Sequence, residues 1–259
     1  MIAKGWNRGG FLAWGVQQSL GMKFNDFFEQ AQVINLPERR DRRRQMKSQL
    51  NRAGLDAAFF PAVRVLEAGN WPSAGAWGCF QSHFRVLEGA LQAGVRNVLV
   101  MEDDLDFSTA FRQMEDEAMA QIAASDWDLL YLGHLEEDQQ GAFRLELSSK
   151  RQMTAYFYAV NGGALPRLVR FLEEVQAREE GDPMGGPQHF DGALSMFREQ
   201  NPDVRTLIAR PRLGFQRRSR SDISSAWYDR LPLAGWLINL GRRVRRVLVT
   251  PGLKLRENS

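Results

Sequence analysis

The sequence predicts an α/β fold, one sheet domain flanked by helices, and three observations lead to it. From residue 32 to residue 209, apolar runs of strand length alternate with segments whose apolar residues recur at helical spacing. One run, Val98-Leu99-Val100-Met101, has no polar residue, as a strand buried on both faces requires. It passes directly into Glu102-Asp103-Asp104 and Asp106. The 259 residues are 44% hydrophobic, enough for a full core, and 25% charged, an ordinary share that argues against disorder.

Residues 1–21 contain Gly and Trp without periodicity and are expected to be an N-terminal extension, with the globular pattern starting at Met22. Residues 32–36 (Gln-Val-Ile-Asn-Leu) form a β-branched strand that ends at Pro37. The basic run from Arg39 to Arg44 leads into a helix with Met46, Leu50 and Ala53 facing inward, stopped by Gly54. A second strand covers 55–63, and a loop rich in Gly, Pro and Trp covers 69–78. Residues 79–93 form a helix with Phe80, Phe84, Leu87 and Leu91 on one face and Gly94 as its stop. After the acidic strand, Ser108 caps a helix that turns Phe111, Met114, Ala118 and Ile122 inward. Strands follow at 126–133, 142–147 and 155–160, then a helix at 165–175, a Gly/Pro loop at 181–186, a helix at 190–199 and a last strand at 205–209. Gly162-Gly163 lacks the further glycines and the lysine of a phosphate loop and reads as a turn.

The net charge of +3 conceals an asymmetry. Residues 205–259 hold 13 Lys/Arg against 3 Asp/Glu, which leaves 21 basic and 28 acidic residues in the rest. The segment 227–259 interleaves Leu231, Leu233, Trp236, Leu237, Ile238 and Leu240 with Arg242, Arg243, Arg245 and Arg246. This is the pattern of a basic amphipathic helical tail, suited to the surface of an anionic membrane. A helix docked on the domain would carry the same pattern. Nucleic acid is not an expected partner, because no recognised module accompanies the charge. The uncharged stretches 9–22 and 231–241 fall short of the roughly 20 apolar residues of a spanning helix. No clear cleavage site follows the short apolar stretch near Trp14, so a secreted form is not expected. Cys79 is the only cysteine; it excludes an intrachain disulfide and fits a reducing, cytoplasmic setting.

Carboxylates crowded at a strand end repel one another, and a divalent cation with hard oxygen ligands is the usual compensation. The C-terminal ends of strands are also where open α/β sheets bind ligands. A solvated acidic turn is the competing reading. The arginines after residue 36 open a helix directly behind a strand end, where phosphate is favoured, although most of such a run must be surface.

Three segments together resemble glycosyltransferase family 25. They are Val33-Ile-Asn-Leu-Pro-Glu-Arg-Arg-Asp-Arg-Arg, then Gly78-Cys-Phe-Gln-Ser-His83 leading to Val100-Met-Glu-Asp-Asp, and Arg210-Pro-Arg-Leu-Gly-Phe-Gln216 followed by Ser221-Asp222-Ile223. They span roughly residues 31–225, within an expected domain of 22–226. The resemblance implies a GT-A-like fold, a nucleotide-sugar donor (usually UDP-galactose), Mn²⁺ or Mg²⁺, and inversion at the anomeric carbon. It further implies a saccharide or lipid-linked saccharide acceptor in lipopolysaccharide or cell-surface glycan synthesis, with the enzyme peripheral on the inner membrane. By the same resemblance, Asp104 ligates the metal and Glu102 assists through water or contacts the ribose. Arg39, Arg43, Ser82, His83, Asp103, Gln216, Ser221 and Asp222 belong to the donor pocket, and Asp191 is the base. Each has a plainer alternative: His83 as a core hydrogen-bonding group, Asp191 as a charge favoured at a helix start. His134 and His189 are weaker candidates. A metal-dependent phosphoester hydrolase or a non-catalytic membrane adaptor would fit the same acids or the same tail.

Overall fold

The computed structural model describes residues 21–136 and 141–217. Residues 1–20 of the expected extension, Ser221, Asp222 and the basic tail at 227–259 lie outside the described residues.

In chain order the elements are α1 (Phe24–Phe27), β1 (Gln30–Asn35), α2 (Arg40–Ala53), β2 (Ala58–Pro61), α3 (Ala74–Ala93), β3 (Asn97–Glu102), β4 (Leu105–Phe107) and α4 (Ala110–Gln113). They continue with α5 (Glu115–Ala124), β5 (Leu129–Tyr131), β6 (Arg144–Leu147), β7 (Phe157–Asn161), α6 (Leu165–Ala177), α7 (Phe190–Gln200), β8 (Thr206–Arg210) and β9 (Gly214–Gln216). Seven strands form one sheet in the order β2-β1-β3-β7-β5-β8-β6, and β4 pairs with β9 in a separate ribbon. β1 runs parallel to β2 and β3, and β5 parallel to β8; β7 is antiparallel to both β3 and β5, and β6 is antiparallel to β8. The expected α/β sheet flanked by helices is present.

Period-two alternation explains why the central strands are apolar or aromatic except at their ends. Val98 and Val100 of β3, Leu129 and Tyr131 of β5, and Tyr158 and Val160 of β7 pack on one face with Phe80, Leu87, Leu168 and Phe197 from α3, α6 and α7. Their neighbours Leu99 and Met101, Leu130, and Phe157 and Ala159 pack on the other face with Phe24, Met46, Phe111 and Ile122 from α1, α2, α4 and α5. Each strand is therefore covered on both sides, and truncating a leucine such as Leu87 to alanine would cost about 2–5 kcal/mol.

Several boundaries differ from expectation. Helix α3 begins at Ala74 because Ser73 Oγ accepts the Ala76 amide at 3.0 Å, so Trp77 and Gly78 are helical although their composition suggests a loop. Ser108 does not cap the next helix: Thr109 precedes α4 without a side-chain cap, and the expected single helix breaks at Met114. Gly54 and Gly94 do close α2 and α3, each at φ 66°, a conformation costly for residues with a Cβ. α1 and the β4–β9 ribbon carried no signal long enough to read.

Gly162 has a steric reason. A Cβ there would meet the carbonyl oxygens of Val95 and Arg96 at 2.5 and 2.9 Å, while one on Gly163 would meet only Asn161 Oδ1 at 3.7 Å. The Gly162 amide also donates to the Arg96 carbonyl at 2.7 Å, which fixes the approach. Gly162→Ala is therefore expected to cost about 2 kcal/mol in urea unfolding and Gly163→Ala less than half of that.

Candidate functional site

The register between β1 and β3 places Ile34 opposite Glu102, so Asn35 and Asp103 leave the sheet side by side. Asn35 Nδ2 donates to Asp103 Oδ2 at 2.7 Å. Arg42, one turn into α2, donates to Asp103 Oδ1 at 3.0 Å and lies 3.4 Å from Asp104 Oδ2. Arg42, Asp103 and Asp104 are 8, 6 and 7% exposed, so these are buried charges in direct contact.

The opposite wall comes from β9. Gln216 Nε2 lies 3.3 Å from Glu102 Oε2 and 3.4 Å from both Asp104 oxygens, so one amide bridges the two carboxylates. The Arg217 amide donates to the Asp104 carbonyl at 2.7 Å. The Arg217 guanidinium holds Asp106 at 3.1 and 3.2 Å, and Gln49 donates to the same carboxylate. Asp106 is thus spent on tying α2 to β9.

A third layer lies behind Glu102. His83 Nε2 is 3.3 Å from Glu102 Oε1, and His83 Nδ1 is 3.0 Å from the Tyr158 hydroxyl. Burial pushes the Tyr158 hydroxyl well above its ordinary pKa, so it stays protonated. With Tyr158 donating to Nδ1, the histidine proton belongs on Nε2, facing the carboxylate. Phe190 stacks on the imidazole with centroids 4.2 Å apart and planes at 12°. It brings the start of α7, and Asp191 with it, to this end of the sheet. Burial, followed by the charges of Glu102, Asp191 and Asp104, pushes the Cys79 thiol up.

Asp104 titrates unusually. Burial, then the neighbouring Glu102 charge, raise its carboxyl to about 7 despite the opposing Arg42, and Asp103 is raised chiefly by burial. Such a site has more negative charge than its own cations balance.

Most of the remaining candidates have partners within the fold. Ser82 Oγ accepts the Val63 amide at 2.8 Å and donates to the Gly78 carbonyl at 2.6 Å. Arg39 grips Asp41 at 3.0 and 3.1 Å and holds that carboxyl well below the usual range, and Arg43 lies 4.2 Å over the Phe59 ring. His134 Nε2 donates to the Ala209 carbonyl at 2.8 Å, fully buried, and His189 is exposed. Asp191 Oδ1 accepts its neighbour's amide, from Gly192, at 2.8 Å. Arg42 and Asn35 are the members that sequence reasoning missed. Arg42 lies four residues before Met46, on the same inward stripe, and that spacing was its signal.

The family model for Glycosyltransferase family 25 (LPS biosynthesis protein) matches residues 28–158, half of the chain. The chain belongs to glycosyltransferase family 25. Within the family, a Drosophila melanogaster protein described as a glycosyltransferase 25 family member is 31% identical over 134 residues, 42% of this chain and 22% of the fly protein. Procollagen galactosyltransferase 1 of Danio rerio is 24% identical over 249 residues, 81% of this chain and 41% of the fish protein. A human relative, 30% identical over 131 residues (41% of this chain, 22% of that protein), is described as inactive glycosyltransferase 25 family member 3. The chain spans less than half the length of these curated relatives. A solved glycosyltransferase involved in glycosylation of the major capsid of PBCV-1 superposes with a TM-score of 0.48 at 10% identity, over 74% of this chain and 93% of that one. An inactive relative means that membership of family 25 does not by itself carry turnover; the site has to.

The raised Asp104 carboxyl has a consequence for stability. Folding favours its protonated form, so this contribution is complete below about pH 4, where the unfolded chain also holds the proton. It is lost as pH rises through about 7. Asp104→Asn is therefore expected to be more stable than the unmodified protein by about 2 kcal/mol at pH 8 in urea, with the gap closing by pH 4.

Proposed function

We propose that this chain is an inverting glycosyltransferase that moves a sugar, galactose from UDP-galactose, to a saccharide acceptor. The observation that carries the reading is the pair Glu102 and Asp104, held under one Gln216 amide at the end of β3 beside the buried Arg42. The pair fits a divalent cation: its oxygens are hard, they converge on one amide hydrogen donor, and burial together with the neighbouring Glu102 charge raises the Asp104 carboxyl. Asp104 and Glu102 would hold Mn²⁺ or Mg²⁺, which supplies charge compensation for a nucleoside diphosphate leaving group.

The chain's own residues do the rest. Arg42 and Asn35 fix Asp103 in one rotamer against the pull of its neighbours, so the carboxylate face is ready before any donor arrives. Gln216 offers an amide that can turn from the carboxylates to a donor oxygen. Asp191 takes the proton of the acceptor hydroxyl as that oxygen bonds to the anomeric carbon, and the bond from that carbon to the diphosphate oxygen breaks with the electron pair leaving on the diphosphate. Arg39 and Arg43, half-buried at the start of α2, are assigned to the nucleotide side. The basic tail at 227–259 is assigned to an anionic membrane surface, which would suit a lipid-linked acceptor in lipopolysaccharide synthesis. Among the described residues, no helix is long and apolar enough to cross a membrane.

Titration calorimetry tests the donor site. UDP is expected to bind at least tenfold more tightly with manganese than without, and Asp104→Ala to abolish that difference; equal binding in all three cases would remove the reading's support. The base has its own test in steady-state kinetics. Asp191→Asn is expected to lower kcat by about 10²-fold or more while UDP affinity stays within a factor of three.

A further inference from the structure

Glu102 has two differently used oxygens. Oε2 faces Gln216 and, through it, Asp104, whereas Oε1 faces His83. Cys79 and His83 lie one turn apart on α3, so both project toward the same point at the end of β3. Cys79 Sγ, a His83 ring nitrogen and a Glu102 carboxylate oxygen all lie within 4.8 Å of one another. We infer that Cys79, His83 and Glu102 form a site for a thiophilic divalent ion of the zinc class.

The geometry is close to what such an ion needs. Ligand atoms around tetrahedral zinc are about 3.3–3.6 Å apart, given bonds of about 2.3 Å to sulfur and about 2.0–2.1 Å to nitrogen and oxygen. His83 Nε2 and Glu102 Oε1 are already 3.3 Å apart, so a small inward shift of the thiol completes the set. Thiolate and imidazole select zinc over manganese or magnesium, which take oxygen ligands. One thiolate and one carboxylate neutralise the dication, so a site this buried carries no net charge once filled. The imidazole is already oriented, by the Phe190 stack on its face and the Tyr158 hydroxyl on Nδ1. Tyr158 can accept as readily as donate. On binding, the Cys79 proton leaves to solvent and the histidine proton moves from Nε2 to Nδ1, where the Tyr158 oxygen receives it. The His83 side chain is 1% exposed and that of Glu102 is 22%, so water reaches the cluster from the Glu102 side. An ion here binds the Oε1 side of Glu102 and so shares that carboxylate with the Asp104 pair; this last point rests on the carboxylate pair proposed above, while the site itself does not.

Cobalt is the probe, added to the full-length protein without nucleotide. The expected result is one equivalent bound with a thiolate-to-cobalt charge-transfer band in the near ultraviolet, and its loss on adding zinc. Cys79→Ser is expected to remove the band and weaken zinc binding at least tenfold, whereas Asp104→Asn keeps the band. Absence of the band in the unmodified protein, or an unchanged band in Cys79→Ser, would overturn the inference. A band in a protein that fails to bind UDP with manganese would leave this site standing and remove the proposed donor site.

Discussion

The structure depends on a charge that ordinarily avoids burial. Arg42 lies under the end of the sheet, in contact with two carboxylates that are themselves almost wholly covered. Removing such groups from water costs several kcal/mol per ion, and their mutual attraction recovers that only with good geometry and further hydrogen bonds. Asn35 provides one of those bonds from the adjacent strand. The arrangement contributes position more than stability: it locks the Asp103 rotamer and turns Asp104 toward Glu102 and Gln216. An apolar substitute for the trio would pack as well and leave nothing for a polar ligand to meet.

The second wall is built differently. β4 and β9 are three residues each, too short to be stable as an isolated ribbon. They are held because the turn between β3 and β4 is pinned from several sides, by the Arg217 amide on the Asp104 carbonyl and by Arg217 and Gln49 on Asp106. The neutral Gln49 amide of α2 and the Arg217 guanidinium just past β9 converge on one aspartate, which is why Asp106 is structural while its neighbours Glu102 and Asp104 face Gln216.

Much of this was legible in the sequence. The uninterrupted apolar run at Val98–Met101 followed by acids pointed to an inner strand and to the candidate site together, because a doubly covered strand tolerates no polar residue until it emerges. Glycine stops and inward stripes gave α2 and most of α3. Arg42 escaped because a run of arginines reads as solvated surface. Its phase with Met46 and Ala53 separates it from Arg43, and its place inside the helix separates it from the N-cap Arg39; those two use their charge on the Phe59 ring and on Asp41. Ser82 and His83 are neighbours in sequence yet differ in role, because consecutive helical residues point about 100° apart: one turns to the backbone of Val63 and Gly78, the other to Glu102. β9 could not be foreseen, since its pairing with β4 spans more than a hundred residues and leaves no local pattern.

The strand order bears on modularity. The segment that matches the family, 28–158, ends inside β7, yet β5 takes its second neighbour from β8 and β4 takes its only neighbour from β9. Excised at that boundary, the segment would present two unpaired strand edges and lose the amide that bridges Glu102 and Asp104. What is recognisable as family 25 is thus a stretch of sequence and not a separable folding unit; grafting or truncation has to respect the later strands that finish its sheet.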